Sequence, residues 1–181
     1  LPSGCDLYER AITLGGLSKT FGLPGLRVGW LVLRDTPLRD HILGWKDYTT
    51  ICASAPGEVL AQIALQIGDK LAARSRTIIQ DNLELAEPFF ARWRTVFRWN
   101  RPGAGSVAFV GLRGQSARDF SARLVAEQGV LLLPGAGLGF GDGHVRFGFG
   151  RLNFPDGLKQ LDCYLARQVL PRLRQSQINK S

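Results

Sequence analysis

Residues 15–30 constrain the fold more than any other part of this 181-residue chain. They read Gly-Gly-Leu-Ser-Lys-Thr-Phe-Gly-Leu-Pro-Gly-Leu-Arg-Val-Gly-Trp, with small residues around one lysine, Lys19, and one arginine, Arg27. The Gly-Leu-Pro-Gly turn between these two residues can reverse the chain, because glycine tolerates positive φ and proline fixes the bend. The apolar runs 10–14 and 28–33 flank the turn and are predicted to form its two strands. We therefore expect Lys19 and Arg27 to face one small anionic ligand.

A lysine and an arginine in this arrangement suit an aldehyde that carries a phosphate group. A lysine that is buried or close to another cation has a lowered pKa, and its neutral amine can form a Schiff base with an aldehyde. An arginine guanidinium can grip a phosphate with two parallel hydrogen bonds. Pyridoxal phosphate has both chemical groups. The alternative interpretation is a surface lysine and arginine beside a hairpin turn.

The same stretch resembles the lysine signature of class I and II aminotransferases, which are pyridoxal-phosphate enzymes of fold type I. The residues that fit the family pattern are Gly16, Leu17, Ser18, Lys19, Gly22, Leu23, Gly25, Arg27, Val28 and Gly29. The resemblance implies that Lys19 is the catalytic residue that holds the cofactor as a Schiff base, and that Arg27 binds its phosphate. Many members have a phosphate-binding serine three residues before the lysine, where this chain has Gly16. Ser18 is therefore added to the predicted cofactor-binding residues.

A second candidate site lies in residues 145–151, which read Val-Arg-Phe-Gly-Phe-Gly-Arg and are predicted to form a strand. Arg146 and Arg151 are five residues apart, and this odd offset on a strand places side chains on opposite faces, so only one is expected to face a cleft. In the family an arginine in such a strand receives the substrate α-carboxylate, and the resemblance implies this role for Arg146. A buried guanidinium is costly unless it is paired, so an Arg146 buried between its apolar neighbours needs an anion. The alternative is a structural pair with an Asp or Glu.

Strand and helix patterns alternate along the chain, which predicts an α/β fold. The resemblance implies the C-terminal part of the pyridoxal-phosphate transferase fold. Residues 1–72 are then the end of the large cofactor domain and its sheet, and residues 73–181 are a small C-terminal α/β domain. Residues 130–133 are predicted to be a buried strand, and the glycine-rich residues 134–143 a substrate-side loop. The hydroxyl-rich segment 46–56 stops at a proline; it resembles a family segment near the dimer interface, and it equally fits a capped helix start.

Composition excludes several classes of function. The formal net charge is +8, but the positive residues are spread along predicted helices, so no nucleic-acid partner is predicted and residues 167–174 are expected to form a solvated helix face. No apolar run reaches the ~20 residues of a membrane span. Three scattered cysteines lack metal-ligand spacing, so no metal site is expected, and their odd, sparse number favours a cytoplasmic protein. His41 and His144 are isolated and are expected to be structural or exposed.

The resemblance implies that other family motifs belong upstream of residue 1. These are the glycine-rich phosphate turn and the Asp-Glu-aliphatic-Tyr strand whose aspartate keeps the cofactor nitrogen protonated. We therefore expect the N-terminal part of the same protein to be missing here, and these residues to be inactive alone. The expected complete protein is a homodimeric aminotransferase that acts on an amino acid and a 2-oxo acid. The alternatives are a pyridoxal-phosphate lyase, decarboxylase, racemase or cyclase, an aminotransferase-like effector domain of a transcription regulator, or a purely structural fragment that binds no cofactor.

Overall fold

The structure is a computed structural model that describes the backbone of residues 2–178 and the side chains of residues 2–168. The chain divides after Arg76 into two compact units, called unit 1 and unit 2 below. The elements confirm the predicted mixed α/β class. They are α1 (Gly4–Leu7), β1 (Thr13–Gly16), β2 (Gly29–Val32), α2 (Thr36–Thr49), α3 (Ala55–Gln66), α4 (Gly68–Arg92), β3 (Phe97–Arg98), β4 (Val107–Leu112), α5 (Ala117–Gln128), β5 (Leu133–Pro134), β6 (His144–Gly148) and α6 (Phe154–Ile178).

Unit 1 contains an antiparallel hairpin of β1 and β2, in which Thr13 pairs with Val32 and Gly16 with Gly29. The predicted chain reversal is thus confirmed, although β1 begins at Thr13, later than the predicted residues 10–14. Two helices follow, and each begins with a side-chain cap. The Asp35 carboxylate accepts a hydrogen bond from Leu38 N at 2.9 Å before α2. Ser54 caps α3 in the same way, which confirms the predicted helix start.

Unit 2 is built on a four-stranded antiparallel sheet with the strand order β3-β4-β6-β5. Buried and exposed residues alternate along β6, and β4 shows the same alternation up to Val110, as expected for a sheet with one covered face. The covered face joins side chains from α4, α5 and α6 in one apolar core. Its largest fully buried members are Phe90, Phe97, Phe120, Phe149, Leu124, Leu161, Leu165, Val110 and Val145.

The prediction of a buried strand over residues 130–133 is wrong. Only Leu133 and Pro134 pair with β6, and the side chain of Leu131 is 70% exposed. A short apolar run does not by itself distinguish a buried strand from an edge segment. The glycine-rich residues after it are mostly loop, as predicted, with one 3-10 turn at Gly135–Leu138.

Two sequence predictions concern residues near the unit boundary and the C-terminus. The predicted domain limits of 1–72 and 73–181 fall within α4, close to the division after Arg76, and their assignment to domains of a larger enzyme stays a prediction. The side chains of residues 169–174 lie outside the described residues, and so does most of the predicted solvated helix face. Within the described part of the chain, no helix is both long and apolar enough to cross a membrane.

Candidate functional site

The loop that closes the β1–β2 hairpin carries all three predicted cofactor-binding residues. Leu17 N donates a hydrogen bond to Val28 O at 3.2 Å, which extends the hairpin ladder by one step. Leu23 N donates to Leu17 O at 3.0 Å, and the side chain of Leu17 is fully buried. These contacts fix the two ends of the loop side by side. Ser18 and Lys19 therefore leave one strand close to the point where Arg27 enters the other.

Lys19 lies in the bend directly after this anchor. Its carbonyl oxygen accepts a hydrogen bond from Gly22 N at 3.2 Å, and its side chain is exposed. The described residues therefore do not bury the amine, although burial is one of the two environments expected to activate it. Ser18 is half-buried. The sequence between Arg10 and Arg34 contains no Asp or Glu, so the loop offers positive charge without an internal counter-ion.

Arg27 has a backbone conformation that the sequence did not predict. Its φ of 55° and ψ of 33° lie in the left-handed region, which non-glycine residues occupy rarely and often at functional positions. The exposed guanidinium donates from Nη1 to Pro24 O at 3.0 Å. This bond uses one of its five N–H groups and leaves the others available for an anion.

The structure gives a physical reason for glycine at positions 15 and 16. A side chain at Gly16 would lie 3.3 Å from Val28 O on the paired strand, which is tighter than most contacts of this type. The serine of many family members would therefore press on the neighbouring backbone here. At Gly15, a side chain would collide with the indole ring of Trp30, its cross-strand partner.

Arg146 lies in unit 2, on β6. The alternation along this strand buries Val145 and Phe147 and leaves Arg146 on the exposed face. The expectation of a buried guanidinium was therefore wrong: apolar sequence neighbours on a strand point to the opposite face. Its cross-strand neighbours are Phe109 on β4 and Leu133 on β5. Among the described side chains, Arg146 forms no ion pair with an acid, so the structural-pair alternative finds no support.

The expectation that Arg146 and Arg151 face opposite sides was also wrong. Both residues line one cavity of about 560 Å³ in unit 2. The alternation rule does not apply to Arg151, because β6 ends at Gly148, three residues before it. Asn82 on α4 fixes the segment after β6: its Nδ2 donates to Phe149 O and to Arg151 O, both at 2.8 Å. The sequence analysis did not identify Asn82.

The glycine-rich loop is attached to the sheet and to α5. Phe140 packs edge-on against Phe109, and the His144 ring stacks on Phe109 at 5.2 Å. At the end of the loop, Asp142 accepts a hydrogen bond from Arg118 N at 2.9 Å. A hydrogen bond from the Ser116 hydroxyl, together with this backbone bond, holds the pKa of the Asp142 carboxyl below its usual range.

A second left-handed residue, Ile51, lies in the hydroxyl-rich segment between α2 and α3. Its φ is 56°, and a β-branched residue in this region is a clear outlier. Lys46 stabilises the turn, because its Nζ donates to Ile51 O at 2.9 Å and its carbonyl oxygen accepts from Ile51 N. No sequence signal predicted this conformation, since glycine or asparagine is the usual residue there.

This fold and the lysine–arginine loop define a partial pyridoxal-phosphate transferase fold, and comparison with known proteins agrees. The structure of a PLP-dependent aminotransferase from Streptococcus suis superposes with a TM-score of 0.83 at 33% identity, over 92% of this chain and 45% of that one. The structure of the PLP-dependent cyclase OrfR gives a TM-score of 0.78 at 31% identity, over 87% of this chain and 44% of that one. Capreomycidine synthase from Streptomyces vinaceus is 32% identical over 142 residues, which are 78% of this chain and 36% of the synthase.

The family profile described as aminotransferase class I and II matches residues 3–167. The chain therefore belongs to the class I and II aminotransferase family, as its sequence predicts. It spans between 36% and 45% of the length of these three relatives.

Proposed function

We propose that this chain is the lysine-bearing part of a pyridoxal-phosphate-dependent aminotransferase. One observation carries the proposal: Lys19 and Arg27 lie at the two ends of one short loop, whose ends are held together by the Leu17 N to Val28 O hydrogen bond. The family match over residues 3–167 supports the same conclusion.

The chemistry of the loop fits a phosphorylated aldehyde. Its two cations have no acidic neighbour in the sequence from Arg10 to Arg34. In the proposed function, the Lys19 amine holds the cofactor aldehyde, and the free N–H groups of Arg27 bind the phosphate through charge-assisted hydrogen bonds. Ser18, adjacent to the lysine, donates its hydroxyl hydrogen to the same phosphate.

In the proposed function, Arg146 binds the substrate and Lys19 transfers the proton. When bound, pyridoxal phosphate supplies an electron sink for the negative charge that develops at the substrate Cα. Arg146 binds the α-carboxylate of the amino acid or 2-oxo acid and thereby orients the substrate. The Lys19 amine moves the proton at Cα as general base and then as general acid.

The rest of the site is proposed to come from outside these residues. The chain spans less than half of its relatives, so we propose that an N-terminal part of the same protein supplies the remaining cofactor contacts. We further propose a homodimer, which the exposed apolar residues of α3 support; these are Val59, Leu60, Ile63 and Leu65. Light scattering of the purified protein tests the homodimer. A cytoplasmic location stays a prediction.

A cyclase is the second candidate. The cyclase OrfR is 31% identical to this chain, close to the 33% of the Streptococcus suis aminotransferase. Both activities use a lysine and a carboxylate-binding arginine in this proposal, so the site residues do not distinguish them. Product analysis of the complete protein distinguishes them, because transamination converts an added 2-oxo acid to an amino acid, whereas cyclisation leaves the 2-oxo acid unchanged.

The role of Lys19 is tested by chemical trapping. The chain is incubated with pyridoxal phosphate and reduced with borohydride, and the modified lysine is located by peptide mass spectrometry. We expect label at Lys19, none at this position in Lys19→Ala, and at least a roughly tenfold loss of label in Arg27→Gln, because a charge-assisted contact contributes about 1.5–3 kcal/mol.

Lys70 is the matched control, because it is another exposed lysine of unit 1. The Lys70→Ala variant is expected to keep full labelling at Lys19. Equal labelling of Lys19 and Lys70 in the unmodified sequence contradicts the proposal, since it would show only the general reactivity of surface amines.

A further inference from the structure

The exposed face of the unit 2 sheet carries three aromatic rings that pack on one another. The His144 ring of β6 stacks on the Phe109 ring of β4, with the ring centres 5.2 Å apart and the planes at 8°. Phe140, from the glycine-rich loop, packs edge-on against both rings, at 4.9 Å from Phe109 and 5.2 Å from His144. Stacked and edge-to-face pairs are the favourable arrangements of aromatic rings, so this cluster holds the loop against the sheet.

Arg98 reaches this aromatic cluster from β3. Arg98 pairs with Gly111 of β4, and Gly111 pairs with His144 of β6, so the three residues form one row across the sheet. A Cβ atom at Gly111 would lie 2.9 Å from Arg98 Nε. Glycine therefore leaves room for the guanidinium to pass over β4. Arg98 Nη2 lies 3.1 Å from His144 Nε2, which is within hydrogen-bond distance.

The contact between Arg98 and His144 requires a neutral imidazole. A guanidinium has N–H donors and no acceptor, so Nε2 of His144 must accept and the ring hydrogen must lie on Nδ1. Protonation of the ring removes the acceptor and places a positive charge next to the guanidinium, so the hydrogen bond is lost. Histidine is the side chain that ordinarily changes its charge between pH 5 and 8.

Neighbouring charged groups on the packed elements do not replace this hydrogen bond. Arg146 lies two residues further along the same face of β6, and Arg113 follows the end of β4; both are cations. The glycine-rich loop contributes Asp142, but hydrogen bonds from the Ser116 hydroxyl and from Arg118 N hold the pKa of its carboxyl below the usual range. Asp142 therefore stays ionised, and bound to the start of α5, while the imidazole titrates.

We propose that neutral His144 is a positioning residue for Arg146. Phe109 is the direct cross-strand partner of Arg146, and side chains of directly paired residues lie next to each other on one face of a sheet. The His144 ring fixes the Phe109 ring, and Phe109 in turn orients the Arg146 guanidinium toward a carboxylate. Protonation of His144 releases the stack and lowers the affinity for the carboxylate. The inference rests on the proposed function for the ligand of Arg146.

The test measures the binding of pyruvate, a 2-oxo acid, to the complete chain without cofactor by titration calorimetry. The affinity is expected to fall at least roughly threefold from about pH 8 to about pH 5.5, because one aromatic stack is lost. A purely electrostatic role predicts the opposite change, since a protonated His144 adds positive charge near the anion. His144→Phe keeps a ring on Phe109 but cannot be protonated, and it is expected to bind pyruvate equally at both pH values.

Two further variants are matched controls. His41→Gln removes the only other histidine of the chain and is expected to keep the pH dependence. Arg98→Gln is expected to reduce the pH dependence, because no guanidinium then repels the protonated ring. Arg94→Gln, at another exposed position of unit 2, removes the same charge and is expected to leave the pH dependence unchanged.

The inference is overturned if pyruvate binds as tightly at the lower pH, if His144→Phe keeps the pH dependence, or if His41→Gln removes it. Arg146→Gln distinguishes this inference from the proposed function. Unchanged binding in Arg146→Gln at the higher pH contradicts the role of Arg146 in the proposed function. Binding that requires Arg146 but does not depend on pH contradicts only the positioning role of His144.

Discussion

Unit 1 and unit 2 differ in how much of their apolar surface they bury. Among the described residues, unit 2 encloses a continuous core that extends from α4 to α6. The buried hydrophobic residues of unit 1 are fewer and mostly small; they are Cys5, Leu17, Ala61 and Ala64. Large apolar side chains of unit 1 are exposed instead, including Leu14 at 79% and Tyr48 at 92%.

This difference in burial indicates that unit 2, rather than unit 1, is able to be stable by itself. Burial of apolar surface is the main favourable contribution to folding, and unit 2 has it in one contiguous cluster. The only sheet of the described unit 1 has two strands, and an isolated hairpin is marginally stable at best in water. The loop that carries Lys19 and Arg27 therefore lies on the unit with the smaller core, and the exposed apolar residues of that unit fit the proposed homodimer.

Substitution of one leucine in each unit gives the strongest test of this difference in apolar burial. Leu124 on α5 is fully buried in unit 2, whereas Leu14 on β1 is largely exposed in unit 1. We expect Leu124→Ala to lower the free energy of unfolding by about 2–5 kcal/mol, because it removes buried methyl groups and leaves a cavity. Leu14→Ala is expected to change it by less than about 0.5 kcal/mol. Urea unfolding followed by far-UV circular dichroism measures both; similar losses would show that the two units do not differ in this way.

Removal of the buried amide of Asn82 gives the next largest expected loss of stability. It extends the comparison of the two units from apolar packing to a buried hydrogen bond. Asn82→Ala leaves the carbonyl oxygens of Phe149 and Arg151 without this donor, and we expect a loss of about 2–4 kcal/mol. Asn100→Ala, at an exposed position of unit 2, is the control and is expected to have almost no effect.

Fluorine-labelled tryptophan separates the units in this experiment, because Trp30 and Trp45 lie in unit 1 and Trp93 and Trp99 in unit 2. The Asn82→Ala variant is expected to lower the urea midpoint of the Trp93 and Trp99 signals. An equal shift of the Trp30 and Trp45 signals would show that the units unfold together.

Local patterns in the sequence predicted much of this structure. The sequence pattern predicts a strand over residues 107–112 and an amphipathic helix over residues 117–128, and these are the limits of β4 and α5. The position of Lys19 and Arg27 in one loop followed from the glycines and the proline between them. These correct predictions concern features that depend only on contacts between residues close in sequence.

The errors concern properties that depend on distant residues. The expectation of a buried Arg146 overlooked the alternation along β6, which places its apolar neighbours on the opposite face. Which of the two faces is covered depends on where the helices pack. The expected direction of Arg151 was wrong because the strand ends before it, and the backbone there is held by Asn82, which is 69 residues away in the chain. No sequence signal indicated the left-handed backbone of Arg27, because arginine rarely adopts this conformation.

The smallest predicted effect is the pH dependence that Asp142 gives to unit 2. Hydrogen bonds from the Ser116 hydroxyl and from Arg118 N lower the pKa of the Asp142 carboxyl in the folded chain. A carboxyl with a lower pKa when folded stabilises the fold above its unfolded pKa of about 3.9, and this contribution is lost as the pH falls through the folded pKa. Asp142→Asn is therefore expected to be less stable at neutral pH and to lose less stability on acidification.

Urea midpoints of the Trp93 and Trp99 signals, measured from neutral pH down to about pH 3, check this prediction. Asp81→Asn is the control, because Asp81 is an exposed carboxylate of unit 2 that has no side-chain hydrogen bond to another described residue. It is expected to keep the acid dependence of the unmodified chain. Equal acid dependence in the Asp142→Asn and Asp81→Asn variants would mean that the bonds at the start of α5 do not couple to unfolding, and that the stability of unit 2 rests on its apolar core alone.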